Sequence, residues 1–188
     1  MSLANRRPKQ PELVRQQLLD VTLQIVATEG AHAVTLDAVA KRAQVTKGGL
    51  QHHFPSKQAL LDTLFDTLFA DFEAQLQQML EAEEDTPGRH ARAYIKLVFD
   101  NASDVATHRA VLSLGLSWAP YAARWRDACA AALLADGGDR GNANRLLLCR
   151  LAADGLWSAQ MFDIYALDTA RRADLLALLL KLCSEEPA

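Results

Sequence analysis

The stretch Thr35-Leu-Asp-Ala-Val-Ala-Lys-Arg-Ala-Gln-Val-Thr-Lys-Gly-Gly-Leu-Gln-His-His-Phe-Pro-Ser-Lys-Gln-Ala-Leu-Leu61 decides the fold of this 188-residue chain. Apolar residues recur at helical spacing over residues 36–43 and predict a helix of two turns, with Thr35 as its N-cap. Thr46 offers an N-cap to a second short helix, whose inner face must be Leu50 with Phe54 four residues later. Two short helices joined by a tight turn are the unit that fits a DNA major groove.

Almost all of the remaining chain also follows helical spacing, and we find no alternating strand of useful length. An N-terminal helix is expected to end at Gly30, and a long helix capped by Ser56 is expected to end at Thr86-Pro-Gly88. Further helices are predicted over about 88–102, 105–118, 120–135, 142–164 and 168–183, with a loop at 136–141. The sequence therefore predicts an all-α protein of about nine helices.

These patterns divide the chain into three parts. Residues 1–11 are predicted to be a flexible basic arm, and residues 12–56 a three-helix, helix-turn-helix DNA-binding domain. Residues 57–188 are predicted to be a larger helical domain.

The charge distribution favours a nucleic-acid partner for the first third of the chain. Residues 1–60 carry eight Lys/Arg and four Asp/Glu, a net +4, so the rest must carry −7 to give the overall −3. A basic end on an acidic body is expected where one end meets phosphate, although chance surface charge is the alternative.

Several other classes of protein are disfavoured. The three cysteines lie in apolar helical contexts without metal-site spacing, and we expect them to be buried, reduced thiols of a cytoplasmic protein. No apolar run is long enough for a membrane span, and the N-terminus lacks the apolar core of a signal peptide. No nucleophile, phosphate-loop or zinc motif is present, so we expect no enzyme, no metal and no cofactor.

The polar positions around Leu50 are candidates for contact with DNA. Lys47 and Gln51 can hydrogen-bond base edges, whereas Thr46, His53 and Lys57 are expected to contact phosphate. The adjacent glycines Gly48 and Gly49 are unfavourable in a helix, so they indicate either close approach of a DNA backbone or an irregular loop.

The segments Val34-Thr-Leu-Asp-Ala-Val-Ala40, Ala43-x-Val-Thr-Lys-Gly48 and His53-Phe-Pro-Ser-Lys57 resemble the N-terminal domain of the tetracycline-repressor (TetR) family. The resemblance covers about residues 12–61. It implies a homodimer that binds a palindromic operator, represses transcription and releases DNA when a small molecule binds the C-terminal domain. Residues 57–188 would then be the regulatory, ligand-binding and dimerisation domain. The residues that it assigns to DNA binding are Thr35, Arg42, Thr46, Lys47, Gly48, Gln51, His52, His53 and Lys57.

Two positions depart from the family's common pattern. Gln44 stands where a turn glycine is frequent, which strains or reshapes the turn. Gln51 stands where an aromatic residue is common, and an amide reads bases differently from a phenol. The operator sequence therefore cannot be borrowed from relatives.

The last two predicted helices are very apolar. Leucines over residues 175–182 cover more than one helical face, so a second buried face is needed. A homodimer through residues 142–183, with two helices from each subunit, supplies it, and Gly155 permits close helix approach. The alternative is a large core within one subunit.

Aromatic residues of the C-terminal domain are candidates to line an apolar effector pocket. The candidates are Tyr94, Phe99, Trp118, Trp125 and Trp157 with Met161, while His108, Arg109 and Asp154 are candidates to orient the effector. At helical spacing, these aromatic residues can equally be plain core. The alternative function is a DNA-binding dimer that is controlled by a protein partner or has no small-molecule effector.

Overall fold

The computed structural model describes residues 11–101, 104–136 and 140–184, and within these ranges it contains nine α-helices and no strand. The helices are α1 Pro11–Glu29, α2 Leu36–Arg42, α3 Lys47–His53, α4 Lys57–Ala82, α5 Arg89–Asp100, α6 Val105–Ser117, α7 Ala119–Ala135, α8 Arg140–Met161 and α9 Thr169–Ser184, with one short 3₁₀ helix at Ala31–Ala33. The predicted all-α architecture is confirmed. Residues 1–10 of the predicted arm and 137–139 of the predicted loop lie outside the described residues.

The predicted N-caps account for where α2, α3 and α4 begin. The hydroxyl oxygens of Thr35, Thr46 and Ser56 each accept a backbone N–H three residues later at 3.0 Å. Each bond satisfies a donor that has no partner within its helix. Gly30 directly follows the last residue of α1 and has a φ of 90°, a value that suits glycine.

The first hydrophobic core holds the helix-turn-helix region and extends well beyond it. It joins buried residues of α1 to α4 with Ala110 and Leu114 of α6 and Tyr121 of α7. The N-terminal helices and part of the body therefore share one core, and α6 takes part in it directly.

The second hydrophobic core lies among α5, α8 and α9. Ile95, Leu146 and Leu179 are among its buried residues, together with the thiols of Cys149 and Cys183. This core holds the two C-terminal helices against the body.

Two details differ from the sequence-based expectations. The helix predicted over 142–164 ends at Met161, because Asp163 has a φ of 52° and a right-handed helix does not continue through a left-handed residue. Cys129 is exposed rather than buried, since Tyr121 is the buried residue of α7 and the outer face of that helix meets solvent.

None of the helices in the described ranges combines the length and the apolarity that crossing a bilayer requires.

Candidate nucleic-acid interface and body cavity

The helix α3 lies on the protein with one side buried and the other open. Leu50 is fully buried and Phe54 is 2% exposed, so these two side chains anchor the inner face. The outer face consists of Thr46, Lys47, Gly48, Gly49, Gln51 and His52, all exposed, with His53 half-buried. Gly48 and Gly49 are helical, which excludes the irregular loop.

The turn between α2 and α3 is held from outside by α1. The side-chain amide of Gln17 donates to the carbonyl of Ala43 at 2.9 Å, and the Val45 N–H donates to the carbonyl of Ala40 at 3.0 Å. Between them, Gln44 has a φ of 56°, in the left-handed region that glycine adopts more easily. The turn thus keeps the left-handed conformation at position 44, although glutamine stands there in place of the family's frequent glycine.

Two predicted DNA-binding cations are paired with acids in the free protein. Lys47 Nζ lies 2.9 Å from an Asp37 carboxylate oxygen, and Arg42 makes two hydrogen bonds to Glu29, at 2.6 and 3.0 Å. The hydrogen bond from Arg42 holds the pKa of Glu29 below its usual value. Both pairs are exposed, and exposed ion pairs contribute little stability, so a phosphate or base can replace the acid at small cost.

Lys57 contacts the segment that leads into α2. Lys57 is the first residue of α4, and its amine donates to the carbonyl of His32 at 3.4 Å. His32 lies three residues before Thr35, the N-cap of α2. A cation beside a helix N-terminus is a suitable arrangement for phosphate.

The two adjacent histidines contact each other through their rings, which lie edge to face at 5.5 Å between centroids. No group of three or more His, Cys, Asp or Glu side chains suited to a metal ion occurs within 11–101, 104–136 and 140–184.

A cavity of about 570 Å³ lies in the body, bordered by α4, α5, α6, α7 and α8. Three of the six predicted effector-binding residues line it, namely Tyr94, Trp125 and Trp157. Two of the three polar candidates, His108 and Asp154, line it as well. Its size is that of a site for a drug-sized molecule.

The other candidates lie elsewhere. Phe99 packs in the second core, and Trp118 is 43% exposed at the start of α7 with its ring against Tyr121 at 4.9 Å. Met161 is buried, and its carbonyl accepts a hydrogen bond from Arg109 at 2.9 Å. A contact of these residues with effector stays a prediction, and it would require a second binding region.

The polar groups in the cavity are strongly affected by burial. The Tyr94 hydroxyl donates a short hydrogen bond to the Asp154 carboxylate, and burial raises the pKa of both groups. Burial lowers the pKa of His108, although the charge of Asp104 opposes this. Among the described residues, neither His108 Nδ1 nor Trp125 Nε1 has a hydrogen-bond partner although both atoms are buried, which is unusual for such atoms.

Sequence reasoning missed Asp71, Phe72 and Asp104, which also line the cavity. Phe72 contacts Trp125 with ring centroids 4.9 Å apart, although the two residues belong to α4 and α7. No signal in the sequence could reveal this contact, since helical spacing shows which face is apolar but not which helix covers it.

The helix α6 connects the cavity to the helix-turn-helix region. His108 lines the cavity, while Ala110 and Leu114 belong to the first core. The hydroxyl of Ser113 accepts the N–H of Ala31 at 2.9 Å, at the start of the 3₁₀ helix that precedes α2. A shift of α6 would therefore act on both regions.

A second connection runs between α7 and the start of α4. The Tyr121 hydroxyl donates to the Asp62 carboxylate at 2.7 Å and accepts from the Gln58 amide at 3.1 Å. Burial and the hydrogen bond to Asp62 raise the pKa of Tyr121 well above its usual value, so the phenol keeps its proton.

Comparisons with known proteins agree with this architecture. Residues 18–64 match the family model for bacterial regulatory proteins of the tetR family, and residues 88–184 match the model for the tetracyclin repressor-like C-terminal domain. The HTH-type transcriptional regulator BetI of Burkholderia mallei (strain NCTC 10229) is 32% identical over 90 residues, which are 48% of this chain and 46% of that protein. The chain thus matches about half the length of such curated relatives.

Solved structures extend the similarity to most of the chain. A transcriptional regulator from Rhodococcus sp. Rha1 superposes with a TM-score of 0.67 at 19% identity, over 90% of this chain and 95% of its own. The ketosteroid transcriptional regulator KstR2 of Mycobacterium tuberculosis gives 0.65 at 17% identity, over 92% and 95%. At these identities the likeness concerns the fold alone.

Proposed function

Because the chain belongs to the TetR family of transcriptional regulators, we propose that it is a repressor that binds a palindromic DNA operator as a homodimer and is released by a small-molecule effector. The observation that carries the proposal is the geometry of α3, whose polar side is open while Leu50 and Phe54 fix its back to the core. We propose that it acts in the cytoplasm, where the operator lies. The proposal includes no enzymatic activity.

On the DNA side, we assign different roles to residues of α3 and to residues at the starts of α2 and α4. Lys47 and Gln51 are exposed and long enough to reach base edges from the N-terminal half of a recognition helix. Thr35 and Lys57 lie where a phosphate would approach. The remaining candidates, Arg42, Thr46, Gly48, His52 and His53, would contact the backbone or the groove wall.

An apolar stripe on α8 supports the homodimer. Leu148 and Leu151 are 63% and 56% exposed, and Gly155 follows on the same helical face with open space around the position of a Cβ. Leu178 of α9 is 52% exposed as well. Large exposed leucines on neighbouring helices mark a contact surface, and a twofold partner would cover them with the same residues.

The cavity and α6 support control by an effector. KstR2 is described as a ketosteroid transcriptional regulator, and by analogy we propose a small organic molecule for the cavity of this chain. The effector must bind better to a body conformation in which the two recognition helices no longer match operator half-sites about 34–36 Å apart. A typical coupling is about 1–3 kcal/mol.

Selection of bound sequences from a random DNA pool tests the proposal. We expect enrichment of a palindrome whose half-sites lie about one helical turn apart. A Lys47→Glu variant that still unfolds cooperatively should not enrich the same sequence. A pool without enrichment, or a motif without twofold symmetry, would refute the proposed operator binding by a dimer.

A thermal-shift screen tests control by an effector. A compound that raises the unfolding temperature of the free protein and weakens its binding to the selected operator would support the sensor. If compounds that fill the cavity leave operator binding unchanged, a regulator without a small-molecule effector accounts better for the protein.

A further inference from the structure

We propose that the effector is an amphipathic organic cation, an amine or quaternary ammonium compound with an apolar body and one hydrogen-bonding oxygen. The inference rests on the proposed function, in which the body cavity is the effector site. It adds the sign of the charge and the polar group that the effector carries.

The charges that line the cavity are all of one sign. Asp71, Asp104 and Asp154 contribute carboxylates, and the described residues of the lining include no Lys or Arg. Asp71 and Asp104 are exposed, whereas Asp154 is half-buried. Acids at the opening attract cations, and an acid farther in gives them a partner once water has been excluded.

Within the described part of the chain, Asp154 has no ion pair to neutralise it. Its side chain accepts a hydrogen bond from the Tyr94 hydroxyl. The guanidinium of Arg150 lies above the Tyr94 ring, 5.2 Å from its centre, but Asp136 binds it at 2.7 Å. A half-buried carboxylate without an ion pair of its own is costly, and burial accordingly raises the pKa of Asp154, although the hydrogen bond from Tyr94 and the charge of Arg150 oppose this. A cationic ligand would remove this cost.

Aromatic rings surround the space in which such a cation would lie. Phe72, Tyr94, Trp125 and Trp157 all line the cavity. The faces of aromatic rings attract ammonium groups, most strongly when water is excluded. An anion would instead meet the negative ring faces and three carboxylates.

Two buried polar atoms of the cavity lining indicate that the effector carries an oxygen that can form hydrogen bonds. In the described part of the chain, no acceptor reaches Trp125 Nε1, and the Nδ1 of His108, which is 8% exposed, has no partner either. The His108 ring also lies 5.2 Å from that of Trp157. A hydroxyl, carbonyl or ether oxygen on the ligand would satisfy the indole, and a hydroxyl could bond to both groups.

Three probes of equal chain length test the charge. Octyltrimethylammonium, octanoate and 1-octanol are titrated into the purified protein at one ionic strength, with tryptophan fluorescence and calorimetry as readouts. We expect the cation to bind at least about tenfold more tightly than octanoate. Asp154→Asn should lower the affinity for the cation by about fivefold or more and leave that for octanol unchanged. Asp127→Asn, an exposed acid of α7 outside the lining, serves as the matched control and should change neither.

The second test removes the indole donor. Trp125→Phe keeps an aromatic ring but loses Nε1–H, from which the hydroxyl of 1-octanol can accept a hydrogen bond. The variant should therefore lower the affinity for 1-octanol more than the affinity for octyltrimethylammonium. The inference is overturned if octanoate binds as tightly as octyltrimethylammonium or more tightly, or if none of the three probes binds. Failure to select any operator DNA without effector would instead overturn the proposed function, so the two failures are distinguishable.

Discussion

Gly48 lies on the outer face of α3, where a Cβ would meet no atom within 4 Å. No contact with a described residue therefore requires glycine at position 48. We predict that Gly48→Ala raises the free energy of unfolding by about 0.5–1 kcal/mol through helix propensity, as measured by urea unfolding. The same change should weaken operator binding, because the added methyl group would meet the DNA backbone.

Gly49→Ala is the comparison for this prediction, since a Cβ there would lie 3.1 Å from the capping hydroxyl of Thr46. Its gain in stability should be smaller. If Gly48→Ala binds the operator as tightly as the unchanged protein, DNA does not approach α3 closely at that residue.

Lys47 and Lys57 are predicted to differ in what they recognise. Lys47→Ala should relax base preference at one position of each half-site and weaken the binding free energy for the preferred sequence by about 1–3 kcal/mol. Lys57→Ala should weaken all sequences similarly and lower the slope of log affinity against log salt by about one per contact removed. Fluorescence anisotropy with single-base variants of the selected operator, over a range of salt concentrations, measures both.

If the two variants change base preference and salt dependence alike, the division between base reading and phosphate contact is wrong. Asp37→Asn is a useful companion variant, because it removes the acid that pairs with Lys47 without removing the amine. It should leave base preference intact.

Individual residues were predictable where the determinant is local. Thr35, Thr46 and Ser56 cap their helices as expected, because a hydroxyl and an amide three residues later suffice. The lining of the cavity was only partly predictable. Trp125 was named, but its neighbour Phe72 was not, since their contact depends on how α4 and α7 pack.

Among the helices, α6 both lines the cavity and contacts the helix-turn-helix region, so we propose that it couples effector binding to DNA binding. Ser113→Ala removes the acceptor of the Ala31 N–H, at the start of the 3₁₀ helix that leads to α2. We predict that a compound found by thermal shift still binds with similar affinity but weakens operator binding several-fold less. Operator affinity with and without the compound measures this coupling.

Ser117→Ala is the matched control, because the Ser117 hydroxyl donates only within α6, to the carbonyl of Leu114 at 2.8 Å. Its coupling should equal that of the unchanged protein. If Ser113→Ala has the same coupling as the unchanged protein, the compound affects operator binding through another contact, such as that between Tyr121 and Asp62.

Whole helices were predictable to within a few residues, and the exceptions have physical reasons. The helix α8 ends at Met161, earlier than the apolar pattern indicates, because the residues after it adopt left-handed conformations. Phe162 and Ile164, which continue the pattern, are 69% and 48% exposed. A periodic sequence cannot show where the backbone leaves the helix when no glycine or proline marks it.

In the proposed function, a second copy of the chain holds the two recognition helices at a fixed distance. We predict that Leu151→Glu places a charge in the α8 contact, converts the protein to a monomer and abolishes tight operator binding. Sedimentation velocity gives the oligomeric state, and anisotropy gives operator affinity.

Leu134→Glu is the control, since Leu134 is 83% exposed on α7, outside the apolar stripe of α8. It should remain a dimer. A dimeric Leu151→Glu protein that binds the operator normally would exclude the α8 stripe as the interface.

The overall layout was predicted mainly through family resemblance rather than through periodicity. The spacing of apolar residues predicted the helices, but it did not reveal that Ala110, Leu114 and Tyr121 complete the core of the helix-turn-helix region. These contacts join residues far apart in sequence, and they connect the helix-turn-helix region to the helices that border the cavity.

Methylation interference on the selected operator examines directly whether α3 enters the major groove. Methyl groups at guanine N7 project into that groove, so we predict interference in both half-sites, about one helical turn apart, and its loss at one position of each half-site in Lys47→Ala. Interference only at adenine N3, in the minor groove, or no interference within the half-sites would contradict the role assigned to α3.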